Sequence, residues 1–127
     1  MIIDGFGCES EKLKDFGKVY DFLNRLSGDM GMNKITQPYV IRWKDKESQT
    51  EGLTGFVIIA ESHLAIHTFP DELRAYADVF SCRPYNTEIA EKSFYKTFEP
   101  KKMQTRIVRK ENGISGIIND NGGKKCL

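Results

Sequence analysis

The sequence predicts an α+β two-layer sandwich, a mostly antiparallel sheet with two helices on one face. Three observations carry that expectation. Apolar runs of strand length follow one another between residues 34 and 82, with only short polar breaks. Two segments with helical apolar spacing flank this block, and consecutive strands favour antiparallel pairing with helices gathered on one side. At 127 residues the chain is long enough for one core and too short for two, so residues 1–127 read as a single domain.

The elements follow in order. "MIIDGFGC" reads as a short strand stopped by glycines. From Asp15 to Ser27, the residues Phe16, Val19, Tyr20, Leu23 and Leu26 fall at helical spacing, and Gly28 and Gly31 end the run. "KITQPYVIRW" is strand-like, with Pro38 placing its start at an edge, and "KDKESQTEG" is a polar loop. "LTGFVIIA", "HLAIHTF" and "AYADVFSC" are three further strands. "NTEIAEKSFYKTF" makes a second helix, with Asn86 as N-cap and Ile89, Ala90, Phe94 and Phe98 on one face. "MQTRIVRK" alternates as the last strand, so the predicted order is β-α-β-β-β-β-α-β. Glycine and asparagine in residues 111–127 predict a mobile tail.

Composition narrows the function. Acids and bases nearly cancel to a net charge of +1, without the basic stripe that a nucleic-acid or anionic membrane partner needs. The longest apolar run, "FVIIA", is far short of a bilayer span, and "MIIDGFGCESEK" lacks a signal-peptide layout. Cys8, Cys82 and Cys126 are odd in number and widely spaced, with no CxxC pair. That argues against a disulfide framework or structural zinc and for a reducing cytoplasm.

The chemistry concentrates in "ESHLAIHTFPDE", Glu61 to Glu72, which holds both histidines, Ser62 and three carboxylates. His63 and His67 are four apart, a metal-binding spacing on a helix, but in a strand they stand roughly 13 Å apart and cannot share one ion. A hydrolytic triad of Ser62, a histidine and Asp71 lacks the flanking glycines of a nucleophile elbow. The plain alternative makes Ser62 a strand end, His67 a satisfied half-buried histidine and Cys82 a small core residue.

A resemblance favours chemistry over that alternative. "ESHLAIHTFPD" is similar to the ESH-x-x-IHT-x-PE signature of the small prokaryotic S-adenosylmethionine decarboxylases. Thr54–Gly55 before it, "DVFSC" after it and the N-terminal "DGFGC" also fit, over roughly residues 2 to 110. The resemblance implies a proenzyme that cuts itself between Glu61 and Ser62 into chains 1–61 and 62–127. Ser62 becomes the pyruvoyl cofactor that forms a Schiff base with the substrate amine, and no metal is involved. His67 matches the processing base, Thr54 stands where the family usually has an assisting serine, and Cys82 matches the proton donor. Asp71 takes the place of the glutamate that binds the ribose hydroxyls, with Glu72 next to it and Phe69, Tyr39 and Trp43 as candidate adenine partners. The implied function is a cytoplasmic, homodimeric decarboxylase of polyamine synthesis acting on a small molecule, S-adenosylmethionine. Arginine or ornithine decarboxylation on the same fold is the rival reading, and a processing-dead binding or regulatory subunit is a second.

Overall fold

The computed structural model describes the backbone of residues 1–111 and 114–125, and side chains through Arg109. Its elements are β1 Ile2–Phe6, α1 Ser10–Lys14, α2 Phe16–Asp29, β2 Tyr39–Lys44, β3 Glu51–Ile59, β4 Ser62–Phe69, β5 Arg74–Ser81, α3 Thr87–Phe98, β6 Lys102–Glu111 and β7 Ile114–Lys125. A single 3-10 turn, Pro70–Glu72, joins β4 to β5. The strands form one antiparallel sheet in the order β2-β3-β4-β5-β1-β6-β7.

Period-two alternation sorts the sheet into two faces. Ile3, Leu53, Val57, Leu64, Ile66, Ala75, Ala77 and Val79 are buried against the helices. Phe22 of α2 meets Phe94 and Phe98 of α3 edge to face at 6.1 and 5.4 Å, which locks the two long helices together over that layer. Truncating the fully buried Phe94 would cost about 3–5 kcal/mol. Gly5 and Gly55 allow the close approach, because a Cβ at Gly5 would lie 2.6 Å from the Phe94 ring and one at Gly55 2.8 Å from Leu23 Cδ1. The Asp15 carboxylate caps α2 by accepting the Lys18 N–H, and Asn86 caps α3 by accepting that of Glu88.

All eight predicted elements are present, with three differences. There are three helices rather than two, since α1 precedes α2. Five residues are too few to display a helical period, and α1 is held by tertiary contacts: Leu13 is fully buried, and its carbonyl accepts the buried Thr68 hydroxyl at 2.8 Å. β2 begins at Tyr39 rather than Lys34, because Pro38 has no N–H for the ladder, and Lys34 keeps only an isolated bridge to Ile59. Finally, residues 114–125 pair with β6 as a seventh strand, where the sequence suggested a tail without an element. Residues 112, 113, 126 and 127, with them Cys126 and part of that tail, lie outside the described residues.

Candidate active site

The expected site residues fall at two ends of the sheet. Ser62 opens β4 and pairs with Ile59 of β3 across a two-residue turn, Ala60–Glu61, and with Ser81 of β5 on its other side. Cys82 follows Ser81 directly, so the Glu61–Ser62 bond and the candidate proton donor share one end of the sheet. Arg83 stands beside them, its Nε 3.6 Å from the Glu61 carboxylate. A cavity of about 60 Å³ adjoins Ser62, walled by Gly31, Met32, Asn33, Ala60, Ser81 and Arg83.

Cys82 is exposed, which removes the reading of it as a core residue; among the described residues the buried cysteine is Cys8, at 2 % exposure. His67 is likewise exposed rather than half-buried. It projects from the sheet face away from the helices, in a row that runs Ile41, Thr54, His67, Tyr76, Asp4 and Gln104 across neighbouring strands. The Thr54 hydroxyl lies 3.0 Å from His67 Nδ1, a contact that orients the ring. Five strand residues separate His67 from Ser62, about 16 Å, and an odd separation puts the two side chains on opposite faces.

The far end of the open face is aromatic. Trp43 and Phe69 meet at 5.6 Å and Phe69 and Tyr76 at 5.4 Å, all edge to face. Tyr39 lies apart from them, against Phe56 at 5.7 Å. Asp71 and Glu72 are both exposed in the 3-10 turn just beyond Phe69. They are not equivalent. Glu72 accepts from Arg74 at 2.8 Å, and the Arg74 guanidinium lies over the rings of Phe6 and Tyr76 at 5.2 and 4.9 Å. Asp71 has no such partner among the described residues. Tyr76, Arg74 and Arg83 escaped the sequence reading, because only strand register brings them beside Phe69, His67 and Ser62.

A family model described as S-adenosylmethionine decarboxylase matches residues 1–111. The chain belongs to the S-adenosylmethionine decarboxylase family. It is similar to the S-adenosylmethionine decarboxylase proenzyme of Thermodesulfovibrio yellowstonii, with 34 % identity over 121 residues, 94 % of this chain and 84 % of the relative. The proenzyme of the same description from Geobacillus kaustophilus is 33 % identical over 90 residues, 71 % of this chain and 68 % of the relative. Among solved structures, the adenosylmethionine decarboxylase from Aquifex aeolicus VF5 shares the fold, with a TM-score of 0.64, 23 % identity and 80 % of each chain covered. The open face of the sheet carries Thr54, His67 and the aromatic cluster. Among the described residues, no helix is long and apolar enough to cross a membrane.

Proposed function

We propose that this chain is a self-processing, pyruvoyl-dependent decarboxylase that converts S-adenosylmethionine to its decarboxylated form, the aminopropyl donor of polyamine synthesis, and carbon dioxide. The observation that carries the reading is the Glu61–Ser62 junction at a tight turn, with Cys82 at the end of the adjacent strand, in a chain whose relatives are described as proenzymes. Ser62 Oγ attacks the Glu61 carbonyl, its proton passes to the Ser62 nitrogen, and the amide becomes an ester. Removal of the Ser62 α-proton by His67 expels the Glu61 carboxylate, and water then releases the nitrogen as ammonia, leaving a pyruvoyl cap on residues 62–127. Thr54 supports His67 by holding Nδ1. Once formed, the pyruvoyl carbonyl supplies an electron sink for decarboxylation. The Cys82 thiol donates the proton that replaces the lost carboxylate.

Within one copy His67 cannot reach Ser62, and the cavity beside Ser62 is far below the roughly 300 Å³ of a ligand pocket. Both facts support a homodimer in which a second copy, turned end for end over the open face, brings its His67 end toward Ser62. The exposure of Tyr39 (58 %), Phe56 (43 %) and Phe80 (51 %) on that face supports the same arrangement, since scattered polar cover would be expected on a face meant for water. For the substrate, Asp71 offers an acceptor for a ribose diol, with Phe69 and Trp43 as the adenine surface. Arginine fits less well: a guanidinium fork from both acids needs Glu72, which Arg74 already occupies. A cytoplasmic setting fits three cysteines without a CxxC pair.

Intact mass of the purified protein tests processing, followed by carbon dioxide release from S-adenosylmethionine, arginine and ornithine in parallel. Fragments 1–61 and 62–127, with greatest kcat/KM on S-adenosylmethionine, are expected. A chain that never splits is a binding or regulatory relative, and a higher kcat/KM on either amino acid reassigns the substrate alone.

A further inference from the structure

Glu61, the residue whose carbonyl is attacked, sits in the left-handed region with φ of 61°. For a residue with a Cβ this conformation is costly, and two-residue hairpin turns place Gly or Asn where φ is positive. Such strain persists only where the surroundings over-determine the backbone. Here they do. On one side of the turn, the Ala60 N–H donates to the Asn33 carbonyl at 3.1 Å, and Ile59 is bridged to Lys34. On the other, Ser62 is paired to Ile59 and Ser81 at once. Ser81 itself is fixed, since its hydroxyl donates to the Arg83 carbonyl at 2.8 Å and accepts the Arg83 N–H at 3.0 Å. The Glu61–Arg83 ion pair adds little, because both side chains are largely in water.

We infer that the left-handed backbone of Glu61 is a positioning device for self-cleavage, destabilising the amide relative to the ester; this rests on the self-processing reading above. The geometry explains how. In the amide, one atom, the Ser62 nitrogen, links the Glu61 carbonyl carbon to Ser62 Cα. After the shift the carbonyl carbon is bonded to Oγ, the C–N bond is broken, and the path runs through two atoms, Oγ and Cβ. The turn gains one atom of slack while its clamped flanks stay where they are, so Glu61 can leave the left-handed region. An amide-to-ester shift sacrifices resonance, and release of this strain offsets part of that loss.

The test compares Glu61→Ala with Glu61→Gly. Neither carries the carboxylate that meets Arg83, and they differ only in the Cβ that makes positive φ costly. The expected result is that the Ala chain cleaves about fivefold faster than the Gly chain, followed by intact mass over time. A second readout uses the uncleavable Ser62→Ala background, where the Gly variant is expected to have the higher Tm because strain has been removed from the whole chain. Equal cleavage rates, a faster Gly chain, or no rise in Tm overturns the inference while leaving the pyruvoyl reading intact. A wild-type chain that does not cleave at all overturns both.

Discussion

Thr54 on β3 and His67 on β4 face one another in register, with the threonine hydroxyl 3.0 Å from His67 Nδ1. The bond orients an exposed imidazole that neighbouring side chains do not enclose, so loss of the hydroxyl should act on His67 chemistry rather than on the fold. Thr54→Val is expected to slow formation of the 62–127 fragment by about tenfold, with Thr54→Ser restoring it. A time course on denaturing gels decides. An unchanged rate in the valine variant returns Thr54 to ordinary strand packing.

His67 lies too far along β4 to serve its own Ser62. Chains carrying Ser62→Ala or His67→Ala are each expected to remain whole when expressed alone. Co-expressed with different tags, the His67→Ala chain should be cut, because it keeps Ser62 and borrows the imidazole of its neighbour. If it stays whole in mixed assemblies while wild type splits, His67 acts within its own chain.

Cys82 is exposed and Cys8 buried, so iodoacetamide should alkylate Cys82 before Cys8. The proposed step for Cys82 comes after cleavage. Cys82→Ala is therefore expected to split normally, yet to lose about 10²-fold or more in kcat. Mass mapping of the alkylated peptide and carbon dioxide release measure the two halves of this expectation. Full turnover in the alanine variant would leave proton donation to another group.

Asp71 and Glu72 are neighbours with different surroundings, since only Glu72 pairs with Arg74. Asp71→Ala is expected to raise the KM for S-adenosylmethionine by about tenfold, the scale of a lost charge-assisted hydrogen bond. Glu72→Ala strips the partner from Arg74, whose Nε is buried, and should appear mainly as a stability loss of about 1 kcal/mol for this partly exposed pair. Thermal melts beside steady-state kinetics separate the two. Reversed effects would make Glu72 the ligand contact and Asp71 the structural acid.

Much of the fold was legible because apolar period is a local property. The helix from Asp15, the capped helix after Asn86 and the consecutive strands each follow from residues within a few positions of one another. α1 was not legible, since five residues cannot show a period, and its Leu13 is buried only by contacts made from elsewhere in the chain. β7 was hidden by glycine and asparagine, residues of low strand propensity that pair here because β6 offers an edge.

The site divides in the same way. By itself the sequence determined the residue types and their spacing: a serine after a glutamate, a histidine five residues on, a distant cysteine, and a motif specific enough to indicate the family. Tertiary structure alone decided who meets whom. Register seats Thr54 against His67 and brings Cys82 to the Ser62 end, while the local turn at Pro70–Glu72 sets Glu72 against Arg74 and leaves Asp71 open. The physical reason is that cross-strand pairing joins residues far apart in the chain, and a shift of one residue would send every side chain to the other face.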